Sequence, residues 1–205
     1  MNHRVNNVKQ LYDDAAGLYK NVVIGGASTS ADSIIANLNA AITNLKSCWE
    51  GKDAGVKIQK VILVHNALVE IRNALGSLAS DSSKVAADYR EIQNRNGAQL
   101  EQLYPVAYED KVRIEDYVDN RDTINISQEA NTGKAKLDAA KEAIDGFSNE
   151  VKRYYSLIMD NWTMGGRRDN ATAAFDKFIS QVEIYKNILN DVSSDLTRAL
   201  QNYQM

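Results

Sequence analysis

The chain carries its apolar residues in four long runs that step alternately by three and four positions. The clearest run reads Val64, Leu68, Ile71, Leu75, Leu78, Ser82, Val85, Tyr89, Ile92. A repeat averaging 3.5 residues draws one narrow apolar stripe along a helix that packs lengthwise on its neighbours. A shorter run precedes it: Ile34 or Ile35, Leu38, Ala41, Leu45 and Cys48 or Trp49, with Ser30 or Asp32 placed to cap the helix start. The second half repeats the plan. Leu137, Ala140, Ile144, Phe147, Val151, Tyr154 and Ile158 lead to Trp162; Ala171, Phe175, Phe178, Val182, Tyr185, Leu189, Val192, Leu196, Ala199 and Tyr203 follow it.

The only two tryptophans stand between the members of each pair of runs. Superimposing Trp49 on Trp162 aligns Leu45 with Ile158 and Leu38 with Val151. One residue of slack then brings Asp81, Val85 and Tyr89 onto Asp195, Ala199 and Tyr203. The chain therefore reads as two helix–turn–helix copies with a tryptophan at each turn. One hairpin cannot bury both of its stripes, whereas two can share a core. The fold class expected is all-α: two hairpins in an elongated four-helix bundle, with an extra N-terminal helix and a partly helical connector. Helices of roughly 40 residues make such a bundle about 60 Å long.

The segments divide as 1–28, an N-terminal helical stretch; 29–96, the first hairpin; 97–125, the connector; and 126–205, the second hairpin. Residues 4–23 have their own helical spacing, which falls out of register after Gly25-Gly26. The connector centres on "YEDKVRIEDYVDNRD" and is expected to form a helix from near Pro105, since proline is tolerated in a first turn. If the two hairpins lie antiparallel, with Trp49 and Trp162 at opposite ends, this connector has to travel the length of the bundle.

Composition narrows the function classes. A net charge of −3 argues against a general nucleic-acid surface. Cys48 is the only cysteine, so neither an internal disulfide nor a multi-cysteine metal site is possible. No run of eighteen apolar residues suggests a membrane span, and the first residues lack the apolar core of a cleaved signal peptide. Candidate chemistry is sparse. His65 lies beside the third-helix stripe and reads as a partly exposed helix histidine, and Cys48 as a small packing residue. "GGRRD", Gly165 to Asp169, precedes a helix but lacks the lysine and spacing of a phosphate loop; Asp169 reads as a helix cap. No enzyme activity and no cofactor are expected.

Each tryptophan is followed closely by glycine, which supplies left-handed backbone angles where a helix must stop. The indole can then cover the open end of the bundle. In this respect the chain resembles the WXG family, small helical hairpins exported by type VII secretion systems, which pair into four-helix bundles. "WEG" (Trp49, Glu50, Gly51) matches the family turn, followed by Ala54 and Ile58. "WTMGG" places Gly165 and Gly166 three and four positions after Trp162, giving a longer turn. The resemblance implies a family dimer fused into one polypeptide, a pseudo-dimeric monomer or a higher homo-oligomer of it. It further implies secretion without a cleaved signal peptide, and protein partners such as a secretion ATPase, a toxin or another WXG-like protein. The residues it marks for turn and recognition are Trp49, Gly51, Trp162, Gly165 and Gly166. The family's tail signal, Tyr-x-x-x-Asp/Glu, is absent: Tyr89 is followed four positions on by Gln93. A structural helical adaptor that stays in the cytoplasm is the alternative.

Overall fold

The computed structural model describes residues 4–163 and 166–202, and it is dominated by helices. Helix α1 (Val8–Gly17) runs into a π-helical turn, Leu18–Val23, and is followed by α2 (Ala31–Cys48), α3 (Lys52–Arg95), α4 (Ala130–Asn161) and α5 (Gly166–Asn202). A two-residue strand β1 (Trp49–Glu50) pairs antiparallel with β2 (Asn125–Ile126).

The apolar stripes explain the packing. Every member of the α2 and α4 runs is buried, from Ile34 to Trp49 and from Leu137 to Trp162. The α3 run is buried from Val64 to Ser82 and leaves the core at Ile92. Phe147 is fully buried, edge-on to Phe178 of α5 with ring centroids 5.3 Å apart. Helix α2 packs on α3 and α4, and α5 packs on the same two helices.

Helix α1 is less of an extra than the sequence implies. It also packs on α3 and α4, so α1 and α2 follow one another along one pair of neighbours. Gly17 lets α4 approach closely: a Cβ there would lie 2.7 Å from the Tyr154 ring. The Tyr154 hydroxyl accepts a hydrogen bond from Asn21 Nδ2 at 2.8 Å. Between the two helices, Ser30 caps α2 by accepting from the Ser33 amide, while its hydroxyl donates to the Gly25 carbonyl.

The connector corrects the expectation of partial helix. Residues 98–124 are not helical at any point. They form an extended strap running back along α3, held chiefly by side chains of α3 that bond to strap backbone. Asn73 accepts from the Lys111 amide and donates to its carbonyl, both at 2.9 Å. Asn66 does the same with Ile114, both at 2.8 Å. Gln59 accepts from the Tyr117 amide at 2.7 Å, and Ser83 Oγ accepts from the Val106 amide at 2.8 Å. These partners satisfy backbone groups that a helix would have satisfied internally.

The spacing follows from two repeats. Seven helical residues rise about 10.5 Å, and three extended residues cover about 10 Å. Amides seven apart on α3 (59, 66, 73) therefore meet strap residues three apart (117, 114, 111). Glycines admit the strap at both ends of this stretch. A Cβ on Gly55 would lie 2.8 Å from the Asp119 amide nitrogen, and one on Gly76 2.7 Å from the Tyr108 ring.

Candidate functional site

Trp49 and Trp162 adopt nearly the same backbone conformation. Trp49 ends α2 at φ −134, ψ 111, and its amide donates to the Leu45 carbonyl. Trp162 ends α4 at φ −132, ψ 114, and donates to Ile158. Each then pairs with an extended residue shortly before another helix begins: Trp49 with Ile126 ahead of α4, and Trp162 with Val5 ahead of α1. The flanking bonds also correspond. Ser127 N donates to Cys48 O, and Asn6 N to Asn161 O, both at 3.0 Å. The internal likeness of the two halves thus reaches Val5, a residue that the apolar periodicity leaves outside the copies.

Helix α4 separates the two turns. Trp49 sits by its first residues and Trp162 at its last, so its 32 residues put them about 48 Å apart, at opposite ends.

Both indoles are covered, at 5% and 3% exposure. The indole nitrogen of Trp162 is buried and has no hydrogen-bond partner among the described residues. Gly51 takes φ +117 as the N-cap of α3, and a Cβ there would lie 2.6 Å from the Thr123 carbonyl oxygen, so this glycine serves both angle and space. Gly165 lies outside the described residues, and Gly166 opens α5. Because α5 begins there, Asp169 belongs to its first turn rather than capping it. An acid in that turn complements the positive end of the helix dipole.

The end of the strap holds the first turn in place. The Asp119 carboxylate accepts from the Gly51 amide at 3.0 Å and from the Arg121 amide and guanidinium. Arg121 also reaches Glu50 at 2.5 Å. The Arg121 guanidinium and the two backbone amides hold the Asp119 carboxyl well below the usual carboxylate range. Such a group contributes stability that is fully present above its unfolded pKa, about 4, and lost as pH falls toward its depressed folded value. Asp119→Asn is therefore expected to flatten the loss of stability on acidification. Urea midpoints at pH 6 and pH 3 should lie closer together in the variant than in the parent chain; an unchanged gap would refute this role.

A groove of about 490 Å³ opens beside this turn, lined by Trp49, Gly51, Lys57, Ile124, Asp195 and Ala199 among others. Lys57 and Asp195 form an ion pair that ties α3 to α5 there.

The remaining candidates read as structural. His65 is buried, at 1% exposure, rather than partly exposed; Ile58, Ile62 and Val69 on the same side of α3 are buried with it. Burial pushes its pKa down, against the raising effect of its Asn66 contact, and Lys111 adds to the lowering. Cys48 is buried, its thiol donating to the Asn44 carbonyl at 2.9 Å. Burial, followed by the Glu129 carboxylate, pushes its pKa up and keeps it a poor nucleophile. Among the described residues no group of three or more His, Cys, Asp or Glu side chains could hold a metal, and no helix is long and apolar enough to cross a membrane.

Sequence reasoning missed Asp119, Arg121 and the amides Gln59, Asn66 and Asn73. The seven-residue spacing of the amides was a visible signal, but it runs beside the apolar stripe rather than within it. No family model, curated protein or solved structure matches the chain.

Proposed function

We propose that this chain is a non-catalytic, tandem WXG-like protein that works through protein contacts in type VII secretion, as a substrate or as the co-secreted or delivery partner of one. In this reading the two hairpins form an elongated four-helix bundle equivalent to a family dimer, its first arm built from α1 and α2 together. The observation that carries it is the matched conformation of Trp49 and Trp162, each ending a helix within an antiparallel hairpin, at opposite ends of α4. The groove beside Trp49 is then the place where a secretion ATPase, a toxin or another WXG-like chain docks.

The test is export. Tagged protein is expressed in a bacterium with an active type VII system and in the same strain lacking the secretion ATPase. The expected result is protein in the medium of the first strain only. Retention in the cells of both strains, with no ATPase or toxin bound on affinity purification, would sink the reading. One observation favours a second reading, a structural helical adaptor that remains in the cytoplasm. Both indoles are buried within the chain itself, as expected of residues that close the ends of a bundle. Retention with unchanged folding is the outcome that reading predicts.

A further inference from the structure

The strap is recognised mainly through its backbone. Lys111 and Ile114 are each gripped at both amide and carbonyl, Tyr117 and Val106 at the amide, and Glu109 at the carbonyl by Arg72. Contacts of this kind do not depend on which polypeptide supplies the strap. The stripe that makes them (Gly55, Gln59, Asn66, Asn73, Gly76, Ser83) is matched on α5 only at Asn73 and Ser83, and neither glycine is kept. Shifted by the same internal alignment, 114 positions, α5 presents Asp169, Ala173, Ser180, Asn187, Asn190 and Thr197. The α3 stripe is thus built for an extended chain.

The strap reaches this stripe only because the chain reverses between Arg95 and Leu100. That reversal holds Gly97 at φ +92 and Gln99 at φ +45. Glycine takes such an angle freely, whereas glutamine is strained there. It is closed by short-range bonds: Gly97 N to Asn94 O, Ala98 N to Gln93 O, and Asn94 to both backbone groups of Leu100.

We propose that the α3 stripe is a self-recognition surface and that a second copy of this chain can supply its strap. If residues 96–99 straighten, the strap leaves along the axis of α3 instead of folding back. A strap runs antiparallel to the helix that holds it, so the α3 receiving it must point the opposite way. The two α3 C-termini then face each other across a two-fold axis. Each copy receives its partner's strap, and with it the α4–α5 hairpin. Every strap–helix contact of the closed chain is reproduced between copies; the bonds of the reversal are given up and the strain at Gln99 is released. Each stripe is complete only with the other copy's backbone in it. The inference rests on the strap alone and stands whether or not the chain is exported.

The experiment removes the reversal. Full-length chain lacking residues 97–99 is measured by light scattering on a sizing column, beside the parent chain of 22.8 kDa. The expected result is a doubled mass with unchanged helical circular dichroism. To identify the exchange, two versions of the shortened chain are refolded together in a Cys48→Ala background, one carrying Asn73→Cys and the other Lys111→Cys. A disulfide between the two different chains is expected, because only an exchanged strap brings these positions together across copies. As a second arm, the unshortened chain is refolded at high concentration, where a dimer fraction is expected that falls severalfold with Gln99→Gly. A shortened chain that stays monomeric with native helicity, or a dimer without the inter-chain disulfide, overturns the proposal. If the shortened chain does not fold, the second arm decides, and a monomer at every concentration overturns it.

Discussion

Trp49→Ala and Trp162→Ala should each lower the stability of the chain by about 3–5 kcal/mol, the cost of deleting a buried large side chain together with the cavity it leaves. The expectation rests on exposures of only 5% and 3% and on the place of both indoles in the contiguous core. Each ring sits where a helix stops and two extended residues cross, so few side chains are positioned to collapse into the vacated space. Urea denaturation of the two variants against the parent measures the effect. A loss below about 1 kcal/mol in either variant would mean that the ring is not part of the core in solution. The result also bears on secretion. With both rings buried, lower export of a variant reports on folding first, so export has to be compared at equal amounts of folded protein. Reduced export from chains of unchanged stability is the outcome that would make the tryptophans recognition residues.

Replacing Gln59, Asn66 and Asn73 together by alanine should cost about 6 kcal/mol, since six hydrogen bonds to the strap are lost and each contributes about 1 kcal/mol net. The location of the damage matters more than its total. The strap should detach while the helices persist, because the three amides face the strap and the apolar stripes of α2 to α5 are untouched. Amide hydrogen exchange is the suitable measurement. Lys111, Ile114 and Tyr117 should lose protection by orders of magnitude in the triple variant, while amides in the middle of α4 keep theirs. Uniform loss of protection would show instead that strap and helices open as one unit.

These two results probe parts of the molecule that differed in legibility. The helices could be read because each buries one face on a long neighbour, and burial leaves a 3.5-residue signature that survives to Leu137, Phe147 and Leu189. The tryptophan turns were legible for the same reason, standing where two such signatures meet. The strap was not. It buries little apolar surface of its own, and its contacts run through backbone atoms that are the same for every residue type. Lys111, Ile114 and Tyr117 lie three apart, a spacing that over so short a stretch is also the i, i+3 spacing of a helix. Pro105, which suits a first helical turn, is what supports the expectation of a partly helical connector. The place of α1 was hidden differently: residues 24–30 break the register, so a continuous arm of the fold reads as a separate helix. His65 is buried because the covered face of α3 is wider than its 3.5-residue stripe and takes in Ile58, Ile62 and Val69 as well.

Val5 pairs with Trp162, 157 positions later in the chain. At about 5–20 residues per second, a ribosome takes about 8–30 s to make the intervening polypeptide. Once α3 has been made α1 can dock on it, but its side toward α4 has nothing to cover it, and the π-helical turn with its buried Leu18 and Val22 waits for Tyr154 and its neighbours. A nascent chain of this protein therefore carries an uncovered apolar face until the end of α4 has been translated. That face is what a ribosome-associated chaperone would meet first.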